Sequence, residues 1–96
     1  MNRQEILKTL ASRRSEIELR FGVSSLAVFG SVARGEEGAK SDVDILVTYE
    51  RAPGIFGFLE LREYLEGILR CKVDLATKNA LRKQMRDQVL QEAIYA

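Results

Sequence analysis

Asp42 and Asp44 stand two residues apart at the head of Ser41-Asp-Val-Asp-Ile-Leu-Val-Thr-Tyr49, a run rich in β-branched residues. On a strand, side chains at that spacing share a face, so the two carboxylates are held side by side. A cation between them relieves their repulsion, and hard oxygen ligands of this kind suit Mg²⁺ or Mn²⁺, with Mg²⁺ the natural choice. Asp74, between Val73 and Leu75, sits in an apolar frame where an unpaired charge is costly, and is a candidate third ligand. Gly30 and Ser31 precede Asp42 with ten residues between. The glycine lets backbone approach a ligand closely, and a serine opening a helical turn offers its hydroxyl and N–H groups to a phosphate. Carboxylates for metal ions beside a triphosphate cradle are what two-metal phosphoryl or nucleotidyl transfer requires.

The elements that position these residues follow from periodicity. Ile6, Leu10, Ile17 and Phe21, with Leu7 and Leu19 beside them, predict one helix from Arg3 to Phe21, closed by Gly22. Ser25 to Phe29 reads as a buried strand, Ser31 to Arg34 as a helical turn, and Gly35 to Lys40 as a loop leading into the strand Ser41–Tyr49. After Ala52-Pro53-Gly54, the residues Phe58, Leu61, Leu65 and Ile68 mark a helix of about three turns. Lys72 to Thr77 is a third strand. Asn79 is placed to cap a last helix with the stripe Leu81, Met85, Val89 and Ala93, flanked by Leu90 and Ile94. The alternation predicts an α/β or α+β fold, a small mixed β-sheet packed on helices, in a single domain over residues 1–96.

Composition narrows the chemistry. The 96 residues include 46% hydrophobic and 30% charged, as in an ordinary globular chain. Fifteen Lys and Arg against fourteen Asp and Glu leave a net charge of +1, so no bulk field argues for nucleic-acid binding. The absence of histidine excludes Ser-His-Asp and Cys-His nucleophile systems and histidine-ligated zinc. The single cysteine, Cys71, excludes an internal disulfide and, with no signal-like start, points to a cytoplasmic location. Apolar runs fall far short of the roughly 20 residues that cross a bilayer. A core this small leaves room for a partner or a second copy to add stability, so an oligomer is expected to be possible.

Several residues carry two readings. Arg34 is a candidate phosphate contact, or an exposed arginine paired with Glu36 or Glu37. Lys40 and Ser41 flank the aspartates; Ser41 joins Gly30, Ser31 and Arg34 among the candidate nucleotide-binding residues, whereas a loop lysine is by default solvated. Arg82 and Arg86 share a helix face that is solvated by default and otherwise open to a partner or an RNA. Phe56, Phe58, Leu61 and Leu65 read as core, while Tyr49 or Tyr64 is available to stack on a base. Cys71 reads as a small buried hydrophobe without a role.

The spacing Gly-Ser, ten residues, Asp-x-Asp resembles the signature of the DNA polymerase β-like nucleotidyltransferase superfamily. The likeness extends through Phe29-Gly-Ser-Val-Ala-Arg-Gly35, Ser41-Asp-Val-Asp-Ile-Leu-Val47, Val73-Asp-Leu75 and Ala93-Ile-Tyr95. The chain resembles the minimal nucleotidyltransferases that serve as antitoxins to HEPN-domain toxins. The resemblance implies the polymerase β-like fold and Mg²⁺-dependent transfer of AMP from ATP to a tyrosine hydroxyl of the toxin, silencing its ribonuclease. It implies that Asp42 and Asp44 hold two metal ions, that Asp74 holds the catalytic ion and helps activate the acceptor, and that Gly30 and Ser31 grip the β and γ phosphates. Two other classes remain open: an antitoxin that neutralises by binding alone, and a transferase with a small-molecule or nucleic-acid acceptor. The chain has little length beyond the catalytic core for an acceptor domain, which disfavours the last.

Overall fold

The computed structural model describes residues 2–36 and 42–96. The expected loop lies largely, and Ser41 entirely, outside them. Helix α1 (Arg3–Ser12) starts where the Asn2 side chain accepts a hydrogen bond from the Glu5 N–H at 2.9 Å. The single helix expected over residues 3–21 is interrupted at Arg13, whose backbone turns to φ −103° and ψ 2° before α2 (Arg14–Phe21) begins. Ser12 donates its hydroxyl to the Thr9 carbonyl at 2.8 Å, a local bond of the kind that bends a helix. The apolar stripe survives the break, with Ile6, Leu10 and Ile17 all buried and Leu19 left exposed. Gly22 closes α2 in the left-handed conformation, φ 68°, as its position suggests.

Strand β1 (Val23–Phe29) is followed at once by the single turn α3 (Gly30–Ala33). Strand β2 (Val43–Tyr49) starts one residue after Asp42, so that residue stands exposed at the strand's threshold instead of within it. Helix α4 (Ile55–Leu69) is longer than the three turns expected, and Phe56 at its start is 78% exposed, not core. Then come β3 (Val73–Thr77), a 3₁₀ turn (Lys78–Ala80), α5 (Lys83–Glu92) and β4 (Ile94–Tyr95). Asn79 falls in the 3₁₀ turn and does not cap α5, which starts after Arg82 without a side-chain cap. Ala93 and Ile94 leave the expected helical stripe, because Ile94 and Tyr95 pair with Val28 and Ala27 along the free edge of β1.

The sheet has the order β3-β2-β1-β4. β1 runs antiparallel to both β2 and β4, while β2 and β3 are parallel, giving the mixed sheet that the alternation predicts. Alternation divides its faces. Leu26, Val28, Val43, Ile45, Val47, Val73 and Leu75 join Ile6, Leu10, Ile17, Leu61, Leu65 and Leu69 in one core beneath α1, α2 and α4. Phe29, Asp44, Asp74 and Ala76 belong to the opposite face, where α5 lies over them with Val89 as its buried contact. The carboxylates thus sit on a sheet backed by the core, on the side away from it. Among the described residues no helix is long and apolar enough to cross a membrane.

Candidate active site

Asp44 is the hub. In the register of the sheet it is paired with Phe29 on one side and Asp74 on the other. The parallel pairing of β2 and β3 therefore brings together two aspartates that are thirty residues apart in the chain. Asp74 is exposed and Asp44 half-buried. The Asp44 carboxyl is pushed up to about 6, by burial first, then by the charge of and hydrogen bonding to Asp74, and then by the charge of Asp42. Arg34 pulls weakly the other way. A carboxyl raised in this manner is one whose charged form lacks a compensating cation, and three oxygen-donor side chains are a hard ligand set. The donor chemistry fits a divalent ion, although no preformed cage of three acidic or sulfur ligands exists among the described residues.

The end of β1 meets this hub through Gly30. Its φ of 72° is in the left-handed region, and a Cβ there would lie 3.0 Å from the Asp44 Cγ and collide with the carboxylate oxygen. Only glycine lets the turn and the carboxylate occupy adjacent space. The turn is then tied down. Arg34 N–H donates to the Gly30 carbonyl at 3.1 Å, Glu36 N–H to the Ser31 carbonyl at 2.9 Å, and Arg3 donates from α1 to the Ala33 carbonyl at 3.0 Å. Ser31 is half-buried at the second position of α3.

A cavity of about 290 Å³ is lined by Phe29, Gly30, Arg34, Asp44, Asp74 and Ala76 from the sheet side. Residues Leu81, Met85, Gln88, Val89 and Glu92 close it from the side of α5. It gathers four of the sequence-predicted site residues: Gly30, Arg34, Asp44 and Asp74. Asp42 and Ser31 adjoin it in the chain without lining it, and Ser41 lies outside the described residues. Arg34 pairs with Glu36 at 2.8 Å and with Glu92 at 3.2 Å, so the ion-pair reading is realised while the residue still lines the cavity. Arg3, Gln88 and Glu92 were not singled out by sequence reasoning. No local motif marks Glu92, and only its place one turn from Gln88, beside Val89 on α5, hints at a face turned inward.

The other candidates fall elsewhere. A larger, mostly apolar groove of about 560 Å³ lies at the far end of β2, between Tyr49, Pro53, Phe58 and Lys78, and contains none of the carboxylates. Tyr49 lines that groove with its hydroxyl buried and unpartnered, and Tyr64 packs on Phe21 at 5.3 Å and bonds to Glu16. Neither reaches the cavity. Arg86 is half-buried and donates to the Leu81 carbonyl at 3.4 Å, while Arg82 stays exposed. Cys71 is partly buried against the core, and burial pushes its thiol up, which makes it a poor nucleophile.

The model of the nucleotidyltransferase domain family matches residues 5–96. The chain is 45% identical over 92 residues to the protein adenylyltransferase MntA of Thermococcus cleftensis, spanning 96% of this chain and 93% of that one. Among solved structures it is similar to a minimal nucleotidyltransferase, with TM-score 0.76 and 39% identity over 98% of this chain and 95% of that one. It is also similar to a chain of a toxin–antitoxin crystallised with AMP-PNP, with TM-score 0.71 and 25% identity over 99% of this chain and 72% of that one. Asp44 and Asp74 paired across parallel strands, beside a glycine turn that no other residue can form, are thus set in the sheet of a known class of enzyme, and the chain belongs to the nucleotidyltransferase domain family as one of its minimal nucleotidyltransferases.

Proposed function

We propose that this protein is an antitoxin that transfers AMP from ATP to a tyrosine hydroxyl of a HEPN ribonuclease toxin and so silences it. The observation that carries the reading is the Asp44–Asp74 pair across β2 and β3, with the Gly30 turn against Asp44. The relative at 45% identity is named a protein adenylyltransferase, and a similar solved structure is a toxin–antitoxin with AMP-PNP; both support it.

In this reading Gly30 and Ser31 bind the β and γ phosphates, with Arg34 and Ser41 as further nucleotide contacts. Asp42, Asp44 and Asp74 are the residues that would hold Mg²⁺, two ions in all. When bound, the ions supply charge neutralisation at the α-phosphorus and at the departing pyrophosphate. Asp74, exposed on the edge strand β3, is accessible to an incoming acceptor and orients its hydroxyl for in-line attack. The new bond joins the acceptor oxygen to the α-phosphorus, the bond from the α-phosphorus to the α–β bridging oxygen breaks so that this oxygen leaves with pyrophosphate, and the acceptor's proton passes to solvent.

Ile55 and Phe56, 66% and 78% exposed at the start of α4, favour a surface for a protein partner. Neutralisation by binding alone would use such a surface equally well. Intact-mass spectrometry of the toxin after incubation with this protein, ATP and Mg²⁺ separates the two. Mass added in adenylyl steps, and absent with Asp42→Asn and Asp44→Asn, establishes transfer. A toxin that is bound and inhibited at unchanged mass establishes the binding antitoxin instead.

A further inference from the structure

Arg34 is the only cation among the described residues that line the cavity, where it faces the carboxylates of Asp44, Asp74 and Glu92. A triphosphate entering so acidic a space depends on where that one guanidinium is held. Its hydrogen bonds are specific. Nε donates to Glu36 at 2.8 Å, and NH1 donates to both oxygens of Glu92 at 3.3 and 3.2 Å. Gln88 donates to the same carboxylate at 3.2 Å, so Glu92 is itself fixed from one turn earlier on α5. The NH2 group has no partner among the described residues.

Glu92 is poorly placed for stability. It is the last residue of α5, where the helix dipole disfavours a negative charge. Its side chain is 19% exposed, against 44% for Arg34, so it is also partly desolvated in a cavity that already holds two carboxylates. Glu36, 59% exposed, is the ordinary surface partner of the arginine. A carboxylate kept at the end of a helix against both burial and dipole, with Arg34 as its cationic partner, is explained by what it does to Arg34.

We infer that Glu92 is a positioning residue for nucleotide binding: with Gln88 behind it and Glu36 opposite, it holds the Arg34 guanidinium on the cavity wall, where it meets the triphosphate. The inference rests on the nucleotide-transfer reading above and adds to it a residue that acts only through Arg34.

The sign of one measurement separates this role from simple electrostatics. By charge alone, removing Glu92 from an acidic cavity tightens the binding of a triphosphate. By positioning, it weakens it. The experiment titrates a fluorescent ATP analogue with Mg²⁺ into the unsubstituted protein and into Glu92→Ala, Glu92→Gln, Arg34→Ala and the double Arg34→Ala, Glu92→Ala variant. Glu92→Ala is expected to weaken binding about tenfold, the usual scale for losing a charge-assisted hydrogen bond to phosphate. Glu92→Gln, which keeps one acceptor, recovers part of that loss. The double variant binds no worse than Arg34→Ala, because without Arg34 only the charge of Glu92 acts on the nucleotide, and removing that charge does not weaken binding. In transfer assays the KM for ATP rises while kcat changes little, and the melting temperature of Glu92→Gln stays within a few degrees of the unsubstituted protein.

Tighter binding in the Glu92 variants, or a double variant that loses the product of the two single effects, overturns the inference. Loss of binding only in step with a fall in melting temperature also overturns it, since that is a structural tie and nothing more. The two readings fail separately. Nucleotide binding with the expected pattern but no transfer to the toxin overturns the proposed acceptor alone. Transfer with tightened binding overturns the Glu92 inference alone, and failure to bind any nucleotide overturns both.

Discussion

Gly30 and Asp44 occupy one another's space: a Cβ on the glycine would lie 3.0 Å from the carboxylate carbon and overlap its oxygen, at a backbone φ of 72°. The end of β1 and the carboxylate of β2 are therefore one structural unit. Gly30→Ala adds left-handed strain of about 1–2 kcal/mol to an overpacking cost of about 1–3 kcal/mol, and the relief available is displacement of Asp44. The expected outcome is a loss of about 2–5 kcal/mol in unfolding free energy and loss of transfer. Gly22→Ala is the control, since Gly22 has nearly the same φ, 68°, and nothing within 4 Å. It is expected to cost only about 1–2 kcal/mol and to leave transfer intact, as urea titration and the toxin mass shift would read.

The Asp44 carboxyl is raised from 3.8 to about 6 by burial and then by Asp74. The folded state therefore binds more protons than the unfolded chain between those two values, and the stability of the metal-free protein falls as pH rises through that window. The penalty is fully present above about pH 6. Glu16, held low chiefly by its bond from Tyr64, works oppositely but only below the ordinary range near 4.5. Metal-free protein is thus expected to melt higher at pH 5.5 than at pH 7.5. Asp44→Asn should raise the melting temperature at pH 7.5 by several degrees and flatten the profile, since about 1 kcal/mol moves a domain of this size by about 4–8 °C. Addition of Mg²⁺ at pH 7.5 should stabilise the unsubstituted protein and not the variant. A melting temperature that is flat or rising over pH 5.5–7.5 in the metal-free protein would contradict this account.

What the sequence made legible is what short spacing controls. Asp44, Asp74 and Gly30 were readable because a strand repeats every two residues and a glycine after a strand marks a sharp turn, and the cavity brings all three together. The pairing of Arg34 with Glu36 is one of the two readings the sequence leaves open for that arginine, since the two residues lie two apart in the chain. Its second partner, Glu92, is fifty-eight residues away and depends on how α5 lies across the sheet, which no local pattern specifies. The break at Arg13 is accompanied only by a local bond from the Ser12 hydroxyl to Thr9, while the apolar stripe continues unchanged. β4 has two residues, too few to show a period, so Ile94 looked like an extension of the helix before it. Phe56 stands in an apolar run yet is exposed, because helical phase places it away from Leu61 and Leu65.

Helix α4 ends at Arg70 with φ 55° and ψ 39°, the one non-glycine residue among those described with positive φ. Its N–H bonds to the Glu66 carbonyl at 2.8 Å, a helix-closing geometry that glycine usually provides. Arg70→Gly removes the left-handed penalty and returns part of the gain to the unfolded chain as entropy. A net stabilisation of about 0.5–1 kcal/mol is expected, with transfer unchanged, since Arg70 lies at the far end of α4 and does not line the cavity. Urea unfolding would measure it, and a midpoint that drops would mean that the arginine side chain contributes contacts outweighing its backbone strain.

Of the residues in α5, Val89 alone is buried, at 4% exposed, while Met85 on the same side of the cavity remains half exposed. The helix that carries Gln88 and Glu92 is thus held by one buried side chain, by the Glu92–Arg34 ion pair and by the short β4 ladder that follows it. An element with so little buried is expected to open before the sheet does. Val89→Ala removes part of that anchor at a cost of about 1–2 kcal/mol for the lost burial, without touching the core beneath α1, α2 and α4. Hydrogen exchange should show the amides of residues 83–92 losing protection while those of β1 and β2 keep theirs. Nucleotide binding should weaken by more than the global stability change accounts for, because the wall that holds Arg34 moves before the sheet does. Uniform loss of protection across sheet and helix would instead make α5 part of one cooperative core, and the cavity a rigid one.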